Sequence, residues 1–104
     1  MAWLILLASG VLEAVWAIAL DRSEGFSRPV PSIVFGVAVV LSMGGLGIAM
    51  RELPVGTAYA VWVGVGAVLT VAYGMITGAE PVTVLRVLFL AMIVGGVVGL
   101  KVVG

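Results

Sequence analysis

Apolar residues run along the chain in four long stretches, and the charged residues fall almost entirely between them. The stretches cover about 2–20, 30–50, 57–76 and 84–103. Asp21, Arg22, Glu24 and Arg28 separate the first two. Arg51 and Glu52 close the second, and Pro54 and Gly56 turn the chain toward the third. Gly78, Glu80 and Pro81 make the last turn. Each stretch is close to the roughly 20 residues that a helix needs to cross the hydrocarbon core. A helix also keeps its backbone hydrogen bonds internal, as lipid demands. Valine is abundant, but a barrel strand needs about ten alternating residues, and these runs are continuous and twice as long. The pattern predicts an all-α membrane protein, residues 1–104 forming one domain of four transmembrane helices. The short gaps make neighbouring helices antiparallel and put both termini on one side.

Composition sharpens this. Of 104 residues, 63% are hydrophobic and 10% charged, and mean hydropathy is +1.37. Soluble domains carry about 25% charged residues, and so short a chain could not hide this much apolar surface in a core of its own. The apolar N-terminus lacks a basic leader, has the length of a full span and carries an acid, so it does not read as a signal peptide. Net charge is zero, which argues against nucleic acid as a partner. With neither cysteine nor histidine, disulfides, thiolate or imidazole metal sites and Ser-His or Cys-His chemistry are excluded. No cofactor and no enzymatic reaction site is evident.

The basic residues divide evenly. Arg22, Arg28 and Arg86 fall on one side of the membrane; Arg51, Lys101 and the terminal amine fall on the other. Charge bias in the loops therefore does not choose an orientation. Insertion in both orientations would let two copies pair antiparallel. Ala91, Gly95 and Gly99, spaced by four on the last helix, form a small-residue stripe along which two helices can approach closely.

Chemistry concentrates around one residue. Glu13 lies about 16 Å along the first helix at 1.5 Å per residue, near mid-membrane. A charged side chain there costs at least about 2.5–3.5 kcal/mol on insertion scales, so an acid at that depth marks a functional site. Lys101, the one intramembrane candidate for a structural ion pair, belongs to a different depth. Gly10 and Trp16 sit three residues either side of Glu13 on the same face, and Ser9 and Ala17 extend that face with small residues. Tyr59, Trp62 and Gly66 form a stripe on the third helix, and Ser42 is the one hydroxyl deep in the second. Aromatic faces attract cations, and indole and phenol groups can orient an acid. Trp3 fits an interfacial belt by depth; Trp16 and Trp62 lie deeper. Gly64 and Gly66 are candidate hinge positions. Tyr73 reads equally as part of the polar stripe or as an interface anchor. Arg22, Glu80 and Arg86 read as solvated loop charges. Glu13 alone would also suit a structural subunit such as a proton-binding ring component, against which the aromatic and hydroxyl cluster argues.

These residues together resemble the small multidrug resistance family of proton-coupled exporters. The resemblance rests on Met1-Ala2-Trp3-Leu4, on the run from Glu13 to Leu20, and on Ser23-Glu24-Gly25-Phe26. It continues in the run from Leu53 to Gly66 (LPVGTAYAVWVGVG), in Glu80-Pro81 and in Gly99-Leu100-Lys101. Gly10, Trp16, Ala60 and Lys101 are similar to the guanidinium-exporting subtype. Asp21 stands where a lysine is more usual, and Ser42-Met43-Gly44-Gly45 lacks a neighbouring aromatic. The small residues after Ser42 would widen the side openings of the site and admit alkylated substrates.

The resemblance implies an antiparallel, dual-topology homodimer in the cytoplasmic membrane of a prokaryote. Both copies of Glu13 would share one substrate- and proton-binding site and titrate as a coupled pair. A planar guanidinium offers paired N–H donors to carboxylate oxygens, so substrate and protons would compete for the same acids. Ser42 and Trp16 would orient Glu13, and Tyr59 and Trp62 would line and gate the site. The alternative within the family is a promiscuous exporter of quaternary ammonium and other hydrophobic cations.

Overall fold

The computed structural model describes residues 1–103. Four helices follow in order: α1 (Ala2–Arg22), α2 (Pro29–Ala49), α3 (Val55–Ile76) and α4 (Val84–Val103). Each is long and apolar enough to cross a membrane. At 20 to 22 residues they measure about 30–33 Å.

The helix ends follow local chemistry. α1 continues past Leu20 through Asp21 and Arg22, because charged residues at the interface need not interrupt a helix. Ser23 then stops it: its buried Oγ donates to the Leu20 carbonyl at 2.7 Å and accepts from the Phe26 N–H at 3.1 Å. Glu24, Gly25 and Phe26 all take left-handed backbone angles, with φ of 49°, 73° and 66°. The loop thereby reverses in a few residues, at a steric cost for its two non-glycine members. Pro29 opens α2 at a position where its missing N–H is harmless. Pro54 acts as the N-cap of α3, so Gly56 belongs to the helix and not to the turn. Gly78 ends that helix with φ of 81°, and the Glu80 N–H reaches back to the Gly74 carbonyl at 3.1 Å. Glu80 and Arg86 are not free loop charges. They pair at 3.2 Å across the α3–α4 turn, an exposed pair of small energetic value.

The helices form a flat array in which α1 packs between α2 and α3, and α4 packs on the outer side of α3. The array measures 42 × 35 × 17 Å. Its thickness is less than two helix diameters of about 10–12 Å. The apolar core comprises Leu6 of α1, Leu46 and Ala49 of α2, and Ala58, Val61 and Trp62 of α3. All lie in the half nearer the chain termini. The other half, from Glu13 outward to Arg22, is more open.

Small residues set the α1–α3 approach. An added Cβ at Gly10 would lie 2.8 Å from the Val65 Cβ and 3.5 Å from the Trp62 carbonyl oxygen. Val65 cannot swing its Cβ aside, so the helices themselves would have to separate. Gly10→Ala is therefore expected to destabilise the fold by about 1–3 kcal/mol. Thermal melting in detergent checks this; an unchanged midpoint excludes the tight contact.

Candidate functional site

Glu13 faces α3 at the middle of the array. Gly66 makes room for it: a Cβ there would lie 2.5 Å from the Glu13 Cδ and 3.0 Å from its Cβ. One carboxylate oxygen, Oε2, is buried and has no hydrogen-bond partner among the described residues. The Trp16 indole N–H is likewise buried and unpaired. Two orphaned polar atoms within one turn of helix are a cost that native interiors rarely carry unless function requires it.

Ser42 takes different partners from those expected. Its hydroxyl donates to the Ser9 carbonyl at 2.7 Å and accepts from the Trp62 indole N–H at 3.0 Å. Ser42 and Trp62 are both buried. The chain ties α1, α2 and α3 together through this network, and neither Ser42 nor Trp16 donates to Glu13. The reason is geometric: the Ser9 carbonyl opposes Ser42 across the α1–α2 contact and satisfies its only proton. Ser42→Ala leaves the Trp62 N–H and the Ser9 carbonyl without this partner, a loss of about 1–3 kcal/mol. A lower melting temperature is the expected result, and Trp62→Phe, which also empties core volume, should lower it at least as far. Equal stability of Ser42→Ala and the parent chain sinks the network.

Tyr59 lies over Trp62, with ring centroids 5.9 Å apart and planes tilted by 38°. Trp62 is buried, but Tyr59 is 54% exposed, so one stripe reaches from the core to the surface. Ala60 is exposed beside it. α3 is helical without interruption through Gly64 and Gly66, and both serve as contact points. Gly64 faces Val97 and Ile93 of α4, and Gly66 faces Glu13. Lys101 lies far from the acid, its Nζ 5.5 Å from the centre of the Trp3 ring. Ala91 and Gly95 are exposed, and Gly99 is half-buried. An added Cβ at Gly95 or Gly99 would meet nothing within 4 Å, and α4 has no buried residue.

Sequence reading missed three elements. Ser9 was legible only as a small residue, because the value of its carbonyl depends on where α2 crosses. Phe35 packs edge-on against Trp16 at 6.0 Å and against Phe26 at 5.4 Å. Its spacing from Ala38 and Ser42 on one helix face could have revealed it. Arg22 is not simply solvated: its guanidinium hydrogen-bonds the Tyr73 hydroxyl.

The layer of spanning helices with one acid at mid-depth defines a small multi-pass membrane protein built around an intramembrane carboxylate. Residues 1–93 match the family described as Small Multidrug Resistance protein, and the chain belongs to that family. Relatives named guanidinium exporter occur in Proteus vulgaris, Yersinia pseudotuberculosis and Salmonella typhimurium. Each is 50% identical over 101 residues, which cover 97% of this chain and 96–97% of the relative.

Proposed function

We propose that the protein exports guanidinium cations across the cytoplasmic membrane in exchange for protons, as an antiparallel pair of identical chains. The observation that carries this reading is the buried, unpartnered carboxylate oxygen of Glu13 beside the unpartnered indole of Trp16. Among the described residues nothing completes that site. A planar cation with paired N–H donors would satisfy the carboxylate, and a proton would do so in its place. Competition for one acid is sufficient to couple the two fluxes. The names of the relatives support the choice of cation.

Pairing draws support from the shape of the chain. A layer 17 Å thick cannot enclose a polar path alone, and the bare stripe of Ala91, Gly95 and Gly99 offers a surface for a second copy. The evenly divided basic residues permit insertion both ways. In the proposed cycle, Tyr59 and Trp62 gate the site. Gly64 and Gly66 act as the hinge, since there α3 touches both α4 and Glu13.

Purified protein in liposomes tests the exchange: guanidinium uptake should follow an imposed pH gradient and reverse with it. Uptake indifferent to the gradient excludes proton coupling. Labelling a C-terminal cysteine from each side of the membrane tests the pairing; a strictly single orientation rules out the antiparallel dimer. Quaternary ammonium export would need alkyl groups to pass the small residues after Ser42, of which Gly44 is exposed and Gly45 packs closely against Ser9. Competition by tetraalkylammonium ions against guanidinium separates the two readings.

A further inference from the structure

A second polar region lies about one to two helical turns from Glu13, toward the α1–α2 and α3–α4 loops. A cavity of about 350 Å³ opens there between α1 and α3, lined in part by Asp21, Arg22, Tyr73, Thr77 and Glu80. Ala17 and Thr70 line it as well. They stand one turn beyond Glu13 and Gly66, about 6 Å further along each helix. The Thr70 hydroxyl folds back onto the Gly66 carbonyl at 2.7 Å, so a hydroxyl borders the route between cavity and acid.

What occupies the cavity matters most. The Arg22 guanidinium donates to the Tyr73 hydroxyl, and its Cζ lies 5.6 Å from the centre of the Tyr73 ring. The Glu80 carboxylate lies against Gly74, which has no side chain to exclude it. Only the other oxygen of Glu80 is engaged by Arg86. The cavity thus presents a phenol oxygen, an aromatic face and the carboxylates of Asp21 and Glu80. Those groups suit a planar cation, and a planar cation from the chain itself already uses the first two.

We propose that this cavity is an outer subsite for guanidinium cations, occupied in the unloaded chain by the guanidinium of Arg22, which an arriving substrate displaces. The inference rests on the guanidinium-export reading and adds a step to it. The substrate first replaces Arg22 against Tyr73, then passes Thr70 to reach Glu13. Arg22 acts as a tethered competitor, so it sets the concentration at which substrate begins to load. Alkylammonium ions, which lack the planar fork, replace it poorly.

Arg22→Lys provides the test, because it keeps the charge and discards the planar fork. In liposomes it is expected to lower the KM for guanidinium by about three- to tenfold, the scale of one exposed cation–π contact with its hydrogen bond. Tyr73→Phe keeps the ring and takes the acceptor from Arg22 and from the arriving substrate alike, so KM should change by less than about twofold. In the double variant KM should rise by about two- to threefold over Arg22→Lys alone, because with the latch released only the substrate loses the acceptor. An unchanged or raised KM in Arg22→Lys, with the parent protein transporting guanidinium normally, overturns the subsite and leaves the exporter reading intact. A parent protein that does not move guanidinium overturns both. If Arg22→Gln lowers KM while Arg22→Lys does not, net charge alone is at work and the subsite is again overturned.

Discussion

Glu13→Gln is expected to abolish exchange of guanidinium for protons, reducing uptake by at least about a hundredfold. The amide keeps the size and shape of the side chain, so it fits the space beside Gly66. It removes the negative charge and replaces one acceptor oxygen with a donor. Two charge-assisted hydrogen bonds to a cation are lost, each about 1.5–3 kcal/mol. The variant should still assemble, because the acid contributes no hydrogen bond through its buried oxygen. Liposomes loaded at one pH and diluted into another give the measurement. Gradient-driven uptake surviving in Glu13→Gln would end the assignment of Glu13 as the shared site.

The second large effect belongs to a residue with no chemistry of its own. Gly66→Ala should lower transport by about tenfold to a hundredfold, the scale of a displacement of about 1 Å in a reacting group. The added Cβ falls 2.5 Å from the Glu13 Cδ, so the carboxyl must leave its seat even though its far end can rotate. Gly64→Ala, at the other proposed hinge glycine, is the comparison: it shares any loss of hinge freedom and leaves the acid alone. Its Cβ would meet a Val97 methyl at 2.8 Å, which can rotate within the α3–α4 contact, and the acid is not involved. Transport should fall far more in Gly66→Ala than in Gly64→Ala. Equal activities would show that the glycine does not position the acid.

The four spans were legible because lipid imposes one long apolar stretch for each crossing, which leaves a clear record in sequence. Glu13 was legible for the same reason: a carboxylic acid is conspicuous in hydrocarbon. Partnerships were much less so. Ser42 could be picked out as a buried hydroxyl, but whether it faces Glu13, Ser9 or Trp62 depends on the crossing of α1 and α2. Arg22 and Tyr73 are 51 residues apart, and nothing local connects a loop-end arginine with a tyrosine on another helix. Gly66 was visible as a small residue on the right stripe and looked like a point of flexibility. Its role as the wall that Glu13 rests against required the helix separation, which the contact of Gly10 with Val65 sets.

α4 rests on α3 and buries no residue of its own within the chain. If a second copy supplies the missing surface, completion of the fold becomes a matter of abundance. Mass action then governs how firmly the last helix is held. Newly made chains at low density would carry a loosely docked helix, open to membrane proteases. Chains that have found a mate would be shielded. In that case the uncovered stripe would give the cell a count of unmated copies, read directly as lifetime.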